Sequence, residues 1–237
     1  IKPDLVYGRD DIFAFYLTQK AGYKTIFERH DNFIDDKYRL DESIFKKFIK
    51  ENVNNYKLIT NTQKLKEYYC KEYNLKFEHV HVASSATDVP KDFDTIPDNC
   101  EKFRNTFNVG YIGTVDYSKL HRDFLDISAK IDIKDIQFIV CGGDDEKNIK
   151  QEAMDKNISE KFKFTGKVSN IKAYLSVFDV FGYPLSPYHY GTCDQALAEA
   201  MACGIVPVVF NNPMEKYMVK HNKTGLVVKN NLEYNNA

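Results

Sequence analysis

The chain has 237 residues and a formal net charge of −1 at pH 7. This near-neutral charge excludes the broad basic field that attracts nucleic acid, so no nucleic-acid partner is expected. Five cysteines without the paired spacing of metal or redox motifs favour a reducing, cytoplasmic compartment, and no apolar run approaches the roughly 20 residues of a membrane-spanning helix.

The first hundred residues alternate short apolar or β-branched runs with helical patterns. The runs predict strands over residues 4–7, 25–28, 57–60 and 79–82. The patterns between them predict helices over residues 11–21, 42–53 and 62–73. Regular alternation of strand and helix is typical of an α/β domain with a parallel sheet.

A dense group of charges follows the second predicted strand. Glu28 and His30 stand in this turn, where open α/β sheets place their ligands, so both are candidates for contact with a substrate. Arg9 follows the first strand in the equivalent position. The alternative for all three residues is a solvated surface turn.

The predicted helix at residues 42–53 mixes lysines with apolar side chains. Its apolar residues are Ile44, Phe45, Phe48 and Ile49, and its lysines are Lys46, Lys47 and Lys50. Such a helix can lie on anionic lipid, which would give the protein a peripheral contact with the inner membrane. The same pattern also arises when the apolar side packs into a core, and the core is the favoured interpretation.

Periodicity is interrupted between residues 88 and 104 by prolines, aspartates and asparagine. We therefore predict two domains, residues 1–105 and residues 106–237, each large enough to bury a core. In the second domain, strands are predicted over residues 107–113, 136–143, 162–168, 180–184, 205–210 and 226–228. Strands of this kind, alternating with helices, predict a doubly wound parallel sheet.

A helix near the C-terminus carries the most informative carboxylate. Thr192 followed three residues later by Gln195 is typical of a capping box, which predicts a helix from about Cys193 to Cys203 with Gly204 as its stop. Glu199 then shares a face with small side chains that allow close approach of a ligand. The alternative is a solvated glutamate on an amphipathic helix.

The segment at residues 190–209 resembles the nucleotide-sugar segment of retaining glycosyltransferases with the GT-B fold, specifically family 4 (glycosyl transferases group 1). The usual form there is a Glu, seven residues, then Glu-Ala-Met-Ala-x-Gly. The second Glu, which binds the ribose of the donor, matches Glu199. The first falls on Gly191, where this chain departs from the family.

This resemblance covers about residues 107–228 and implies two Rossmann-like domains with doubly wound parallel sheets. The N-terminal domain is expected to be incomplete, because relatives carry further βα units before it. Donor and acceptor are expected to meet between the domains.

The resemblance also implies roles for the residues around Gly191. Asp194 is the candidate replacement for the missing catalytic carboxylate, although an acid in the first helical turn also suits the helix dipole. Tyr188 and His189 are candidates for hydrogen bonds to the transferred sugar. The backbone amides at the helix start are candidates for the diphosphate, and they belong to Gly191, Thr192 and Cys193.

Further contacts with the donor are implied by three glycine turns. Relatives carry Gly-Arg after the first strand and a Lys about five residues later, whereas this chain has Gly113 and Thr114, then Lys119 and Arg122. Lys119 is the preferred diphosphate ligand and Arg122 the second, with surface charge as the alternative for both.

The later glycine turns are expected beside the phosphate and the base. Gly142 ends the next strand. Val168 matches the residue that packs beside the base in relatives, with Gly166 and Lys167 shaping the loop.

The implied reaction is transfer of a sugar from a nucleotide-diphosphate-sugar donor to a hydroxyl acceptor with retention of configuration. Its expected setting is bacterial surface polysaccharide or glycolipid synthesis. No metal or other cofactor is expected, since relatives manage without one and no metal-spaced cluster is visible in the sequence. The alternatives are a non-catalytic nucleotide-sugar-binding module and, less favoured, a nucleotide-sugar 2-epimerase.

Overall fold

The computed structural model of the chain describes residues 3–30, 39–51, 53–87, 100, 103, 105–143, 146–189 and 194–237. The described residues form two compact units, one within residues 1–86 and one within residues 87–189 and 194–237. Each unit has its own open parallel sheet, which confirms the predicted α/β fold. Most of the predicted linker at residues 88–104 lies outside the described residues, so the boundary at residue 105 stays a prediction.

The first unit is a four-stranded sheet with the order β1-β2-β3-β4. Its strands are β1 (Val6–Arg9), β2 (Thr25–Arg29), β3 (Tyr56–Thr60) and β4 (Val80–Val82). The connecting helices are α1 (Ile12–Lys20), α2 (Arg39–Glu51) and α3 (Gln63–Tyr73). The sequence predicts each of these elements within three residues of its observed bounds.

Helix α2 turns its apolar side into the core of the first unit. Phe45, Phe48 and Ile49 are buried, whereas Lys47 and Lys50 are exposed and Lys46 is half-buried. The core interpretation of this helix is therefore confirmed, and its apolar side is not presented to a membrane. In the part of the chain that the structure describes, no helix combines the length and the hydrophobicity needed to cross a bilayer.

The second unit is a six-stranded parallel sheet with the order β10-β9-β8-β5-β6-β7. Its strands are β5 (Phe107–Ile112), β6 (Ile136–Cys141), β7 (Phe162–Gly166), β8 (Val180–Tyr183), β9 (Val206–Phe210) and β10 (Leu226–Val228). The strand order reverses between β5 and β8, so the sheet is doubly wound as predicted. The carboxyl ends of these two strands flank the crevice in which such sheets bind ligands.

Six helices cover the described part of the second unit. They are α4 (Phe124–Ala129), α5 (Glu146–Asp155), α6 (Ile171–Leu175), α7 (Gln195–Ala202), α8 (Glu215–Met218) and α9 (Asn231–Asn235).

The predicted capping box of α7 is wrong, because the N-cap residue is Asp194 and not Thr192. The predicted stop is confirmed. Gly204 has a positive φ of 77°, and the amides of Gly204 and Ile205 donate to Met201 O and Ala200 O in a Schellman arrangement.

Cys141 at the end of β6 couples stability to alkaline pH. Burial raises the pKa of its thiol from 9.0 to about 12, so the folded state holds this proton more tightly than the unfolded state does. The stability from this group is complete below pH 9 and is lost as the pH rises towards 12. The slope reaches up to about 1.4 kcal/mol per pH unit. We expect Cys141→Ala to flatten the dependence of the free energy of unfolding on pH between about 9 and 11.

The measurement is urea unfolding at several pH values. Val140→Ala is the matched control, since it also truncates a buried side chain of β6 but keeps the thiol and therefore the slope. An unchanged slope in Cys141→Ala would contradict the prediction.

Candidate functional site

Backbone hydrogen bonds join the loops that follow β5, β6 and β7. Gly113 N donates to Cys141 O, and Gly142 N donates to Gly166 O, each at 3.0 Å. A Cβ atom added at Gly142 would lie 1.8 Å from the carbonyl oxygen of Gly113. Only glycine fits at this position, and the close approach holds the two turns side by side at the carboxyl edge of the sheet.

Gly110 has a different reason to be glycine. It is buried within β5, and a Cβ atom there would lie 2.0 Å from the ring of Phe178. Gly110 therefore makes room for a core aromatic ring.

The ammonium group of Lys119 lies beside the Gly113 turn. Lys119 Nζ is 3.6 Å from the position that a Cβ atom of Gly113 would take, and it donates to Asp194 Oδ1 at 3.0 Å. It also lies over the ring of Tyr183, 5.6 Å from the centroid. The side chain of Lys119 is only 13% exposed. The structure therefore brings together two predicted site residues, Lys119 and Asp194.

Tyr183 is a third member of this group, and the sequence patterns did not reveal it. Its hydroxyl donates to the same Oδ1 of Asp194. Burial, and after it the Asp194 carboxylate, raises the pKa of Tyr183 well above its ordinary value, so the hydroxyl keeps its proton. Tyr183 gave no signal because it ends an apolar strand, where an aromatic residue is expected for packing alone.

The Asp194 carboxylate is itself buried. Its Oδ2 has no hydrogen-bond partner among the described residues, and the residue is 6% exposed. A carboxylate whose Oδ1 is shared by Lys119 and Tyr183 in this way does not resemble a group that presents both oxygens to a sugar.

His189 and Glu215 form a second buried pair close to Asp194. His189 Nε2 lies 2.7 Å from Glu215 Oε1. Ligating atoms of His189, Asp194 and Glu215 all lie within 4.8 Å of one another. One imidazole and two carboxylates could hold a divalent cation, but Lys119 and His189 already contact the two carboxylates. Spacing along the chain could not reveal this group, and catalysis without a metal stays a prediction.

Glu199 lines a pocket of about 340 Å³. The other lining residues are Ser169, Asn170, Ile171, Lys172, Leu175 and Cys203. Gln195 Nε2 donates to Glu199 Oε1 at 3.3 Å, and Asn170 Oδ1 caps α6. The pocket thus combines the predicted ribose ligand with the loop that follows β7.

The pocket is lined by the part of the chain that follows Val168. Residues 169–172 line the pocket, whereas the predicted base-packing residue Val168 is partly buried against the core. Lys167 lies beside Gly143, and Gly166 accepts the amide of Gly142. Burial, followed by the Glu199 carboxylate, raises the pKa of Cys203, so its thiol is kept neutral in the pocket.

The remaining described candidates, Arg122, Tyr188 and Thr114, make other contacts or are exposed. Arg122 stacks over the ring of Tyr117 at 4.1 Å and pairs with Glu152 at 3.4 Å on the surface. Tyr188 is 89% exposed, and Thr114 O accepts the hydroxyl of Tyr111. The remaining predicted ligands lie outside the described residues, and they are Gly191, Thr192 and Cys193.

The predicted candidates in the first unit do contact one another. Arg9 Nη2 lies 2.7 Å from His30 Nδ1, and His30 Nε2 bonds to Glu28. Since arginine only donates, Nδ1 accepts and Nε2 carries the hydrogen that His30 shares with the carboxylate. Tyr7 donates to the other oxygen of Glu28. The ends of β1 and β2 therefore share one polar network.

Known proteins resemble this chain both in sequence and in fold. The family model of glycosyl transferases group 1 matches residues 92–236, which is more than half of the chain. No curated protein sequence matches it significantly.

Several solved structures share the fold. Anabaena Alr3699/HepE in complex with UDP has a TM-score of 0.81 and 18% identity, covering 98% of this chain and 67% of that chain. Sucrose-phosphate synthase from Thermosynechococcus elongatus has a TM-score of 0.77 and 16% identity, covering 99% and 63%. WaaG, a glycosyltransferase involved in lipopolysaccharide biosynthesis, has a TM-score of 0.72 and 12% identity, covering 94% and 70%. At such identities the likeness is one of fold, and the chain spans about two thirds of these structures.

The contact between the glycine turns predicts a sharp difference between two neighbouring substitutions. Gly142→Ala is expected to lower the free energy of unfolding by about 1–3 kcal/mol, because the added methyl group overlaps a backbone oxygen. Gly143→Ala is the control, since a Cβ atom there meets Lys167 at an ordinary 3.6 Å. Urea unfolding of both variants measures the difference, and equal stabilities would show that the turns are not in this contact.

Proposed function

The chain belongs to the glycosyl transferases group 1 family, and from this we propose that it transfers a sugar from a nucleotide-diphosphate-sugar donor to a hydroxyl acceptor. The observation that carries the proposal is the pocket in which Glu199 faces the loop after β7. The unit that contains this pocket has a doubly wound sheet, a fold that binds nucleotides. HepE, which shares this fold, has been solved with UDP and with UDP-glucose.

In the proposed complex, Glu199 accepts hydrogen bonds from the ribose hydroxyls and the pocket encloses the nucleoside. The diphosphate lies at the Gly113 turn, next to the Lys119 ammonium. As the bond between the sugar and the diphosphate breaks, the electron pair leaves with the phosphate oxygen. A fixed cation in a mostly buried setting stabilises that developing charge.

We propose retention of configuration, as in family 4, and a glycan or glycolipid acceptor. An acceptor of this class is supported by WaaG, a neighbour in fold that is involved in lipopolysaccharide biosynthesis. The polar network of Glu28 and His30 is the proposed contact for a sugar hydroxyl on the first unit. We propose that the transfer needs no metal or other cofactor.

The proposed setting is the bacterial cytoplasm, beside the membrane at which surface glycans are built. The described cysteines support a reducing compartment, because all four are free thiols.

A non-catalytic nucleotide-sugar-binding module is the second candidate. The family's first motif Glu is replaced by Gly191. The next carboxylate along the chain, Asp194, is buried and paired with Lys119. A chain that binds the donor without activating it would show these features.

The donor site is tested by calorimetric titration of UDP, GDP and ADP into the folded chain. We expect one nucleotide to bind selectively and Glu199→Ala to weaken that binding by about 1–3 kcal/mol, the cost of losing a hydrogen bond to a charged group. Glu160→Ala is the control, because this glutamate is an exposed residue of the same unit. Absence of binding at millimolar nucleotide, or equal binding by Glu199→Ala, would refute the donor site.

Hydrolysis of the donor separates the enzyme from the binding module. In the absence of an acceptor, water is expected to replace the acceptor hydroxyl slowly, so UDP-glucose incubated with the chain should release free glucose. Lys119→Met should slow the release about tenfold or more, since the leaving diphosphate loses its cation. Enzymatic detection of glucose measures both rates, and donor binding without release would favour the module.

A further inference from the structure

Asp194 stands at the N-cap of α7 but does not cap the helix. Its backbone is extended, as N-cap residues are, yet its carboxylate makes no capping hydrogen bond. A capping Asp contributes about 1 kcal/mol to stability. The side chain forgoes this contribution and instead contacts Lys119 at 3.0 Å. Helix stability alone therefore does not explain this aspartate.

Three separate segments meet at this contact. Lys119 comes from the loop after β5, Tyr183 ends β8, and Asp194 begins α7. Tyr183 and Lys119 both donate to one oxygen of Asp194, so the carboxylate is fixed from two sides. An ammonium group has three donors, and a single one of them is needed for Asp194. The others can serve an anion at the Gly113 turn.

A second buried pair lies next to the first. Ligating atoms of Glu215 and His189 lie within 4.8 Å of those of Asp194. His189 contacts the Glu215 carboxylate directly at 2.7 Å, whereas Lys119 contacts the Asp194 carboxylate. Each buried carboxylate therefore has its own basic partner, and Lys119 is the fixed cation for Asp194.

We propose that Asp194 and Tyr183 are positioning residues, which hold the Lys119 ammonium at the Gly113 turn for the diphosphate of the donor. Asp194 then acts through Lys119 and does not touch the sugar. The inference rests on the proposed function and names the residues that prepare its cationic site. Preorganisation matters here because a lysine side chain ordered before binding costs less when the ligand arrives.

The first test needs no ligand. We would measure the rate at which acetic anhydride acetylates Lys119, quantified by peptide mass spectrometry. A slow rate indicates that the amine is held in its contact with Asp194. Asp194→Asn should raise the rate severalfold, and Tyr183→Phe should raise it less, because it removes a hydroxyl without changing any charge. Melting temperatures confirm that both variants are folded.

Asp126→Asn is the matched control, since Asp126 pairs with Lys156 at 2.6 Å on the surface. This substitution should leave the reactivity of Lys119 unchanged. Equal reactivity of Lys119 in the wild type, Asp194→Asn and Tyr183→Phe would overturn the proposal.

The second test is a double-mutant cycle on UDP binding, with UMP for comparison. Lys119→Met should weaken UDP binding about tenfold or more, as expected for a lost charged hydrogen bond, and UMP binding less. Asp194→Asn should weaken UDP binding in the wild type but have no further effect in Lys119→Met. If the two substitutions weaken UDP binding by factors that multiply in the double variant, Asp194 contacts the ligand independently of Lys119. That result would contradict the proposal.

Tighter UDP binding by Asp194→Asn would also overturn the proposal, because the carboxylate would then only oppose the anion. Failure of the proposed function has a different signature. In that case the wild type binds neither UDP nor UMP, while the acetylation series still reports whether Asp194 holds Lys119.

Discussion

A buried ion pair between Lys119 and Asp194 links the two sides of the point at which the strand order reverses. Lys119 follows the central strand β5, whereas Asp194 begins the helix that follows β8. A carboxylate buried in this way is costly unless a cation and hydrogen bonds compensate it. Lys119 and Tyr183 supply both, and so the positions of the β5 loop and of α7 are coupled through one carboxylate oxygen.

This chain carries one cationic side chain fewer than the family pattern implies. Thr114 stands where relatives carry an arginine, and Arg122 is engaged with Tyr117 and Glu152 on the surface. Among the described residues, Lys119 has its ammonium group beside the Gly113 turn. A single ammonium must be well placed to replace a bidentate guanidinium, because it contributes a point charge without fixed geometry. The contacts of Asp194 and Tyr183 would hold the Lys119 ammonium group in place and so meet this requirement.

The strands, the helices α1, α2 and α3 of the first unit and the end of α7 could be predicted from the sequence, because each carries a local signal. Runs such as residues 136–143 and the glycine stop at Gly204 depend on neighbours within one turn or strand. The N-cap of α7 was misassigned because Thr192 and Asp194 are both good caps locally, and the contact with Lys119 is invisible in the sequence. The packing role of Gly110 left no local signal for the same reason, since its neighbour Phe178 lies far along the chain. Glu215 and Tyr183 were missed because only the fold brings them to Asp194.

Helix α7 and its N-cap each carry one acidic residue, and the two have different surroundings. Asp194 is the extended N-cap residue, whereas Glu199 lies within the helix, five positions later. Asp194 faces Lys119 and Tyr183, whereas Glu199 faces the pocket beside the loop after β7. The family motif carries two glutamates, and the second of them binds the ribose of the donor. Here the first position is Gly191, and Asp194, three residues later, is paired with the ammonium group of Lys119. Under the proposed function, the helix therefore binds the ribose directly and the diphosphate through a lysine.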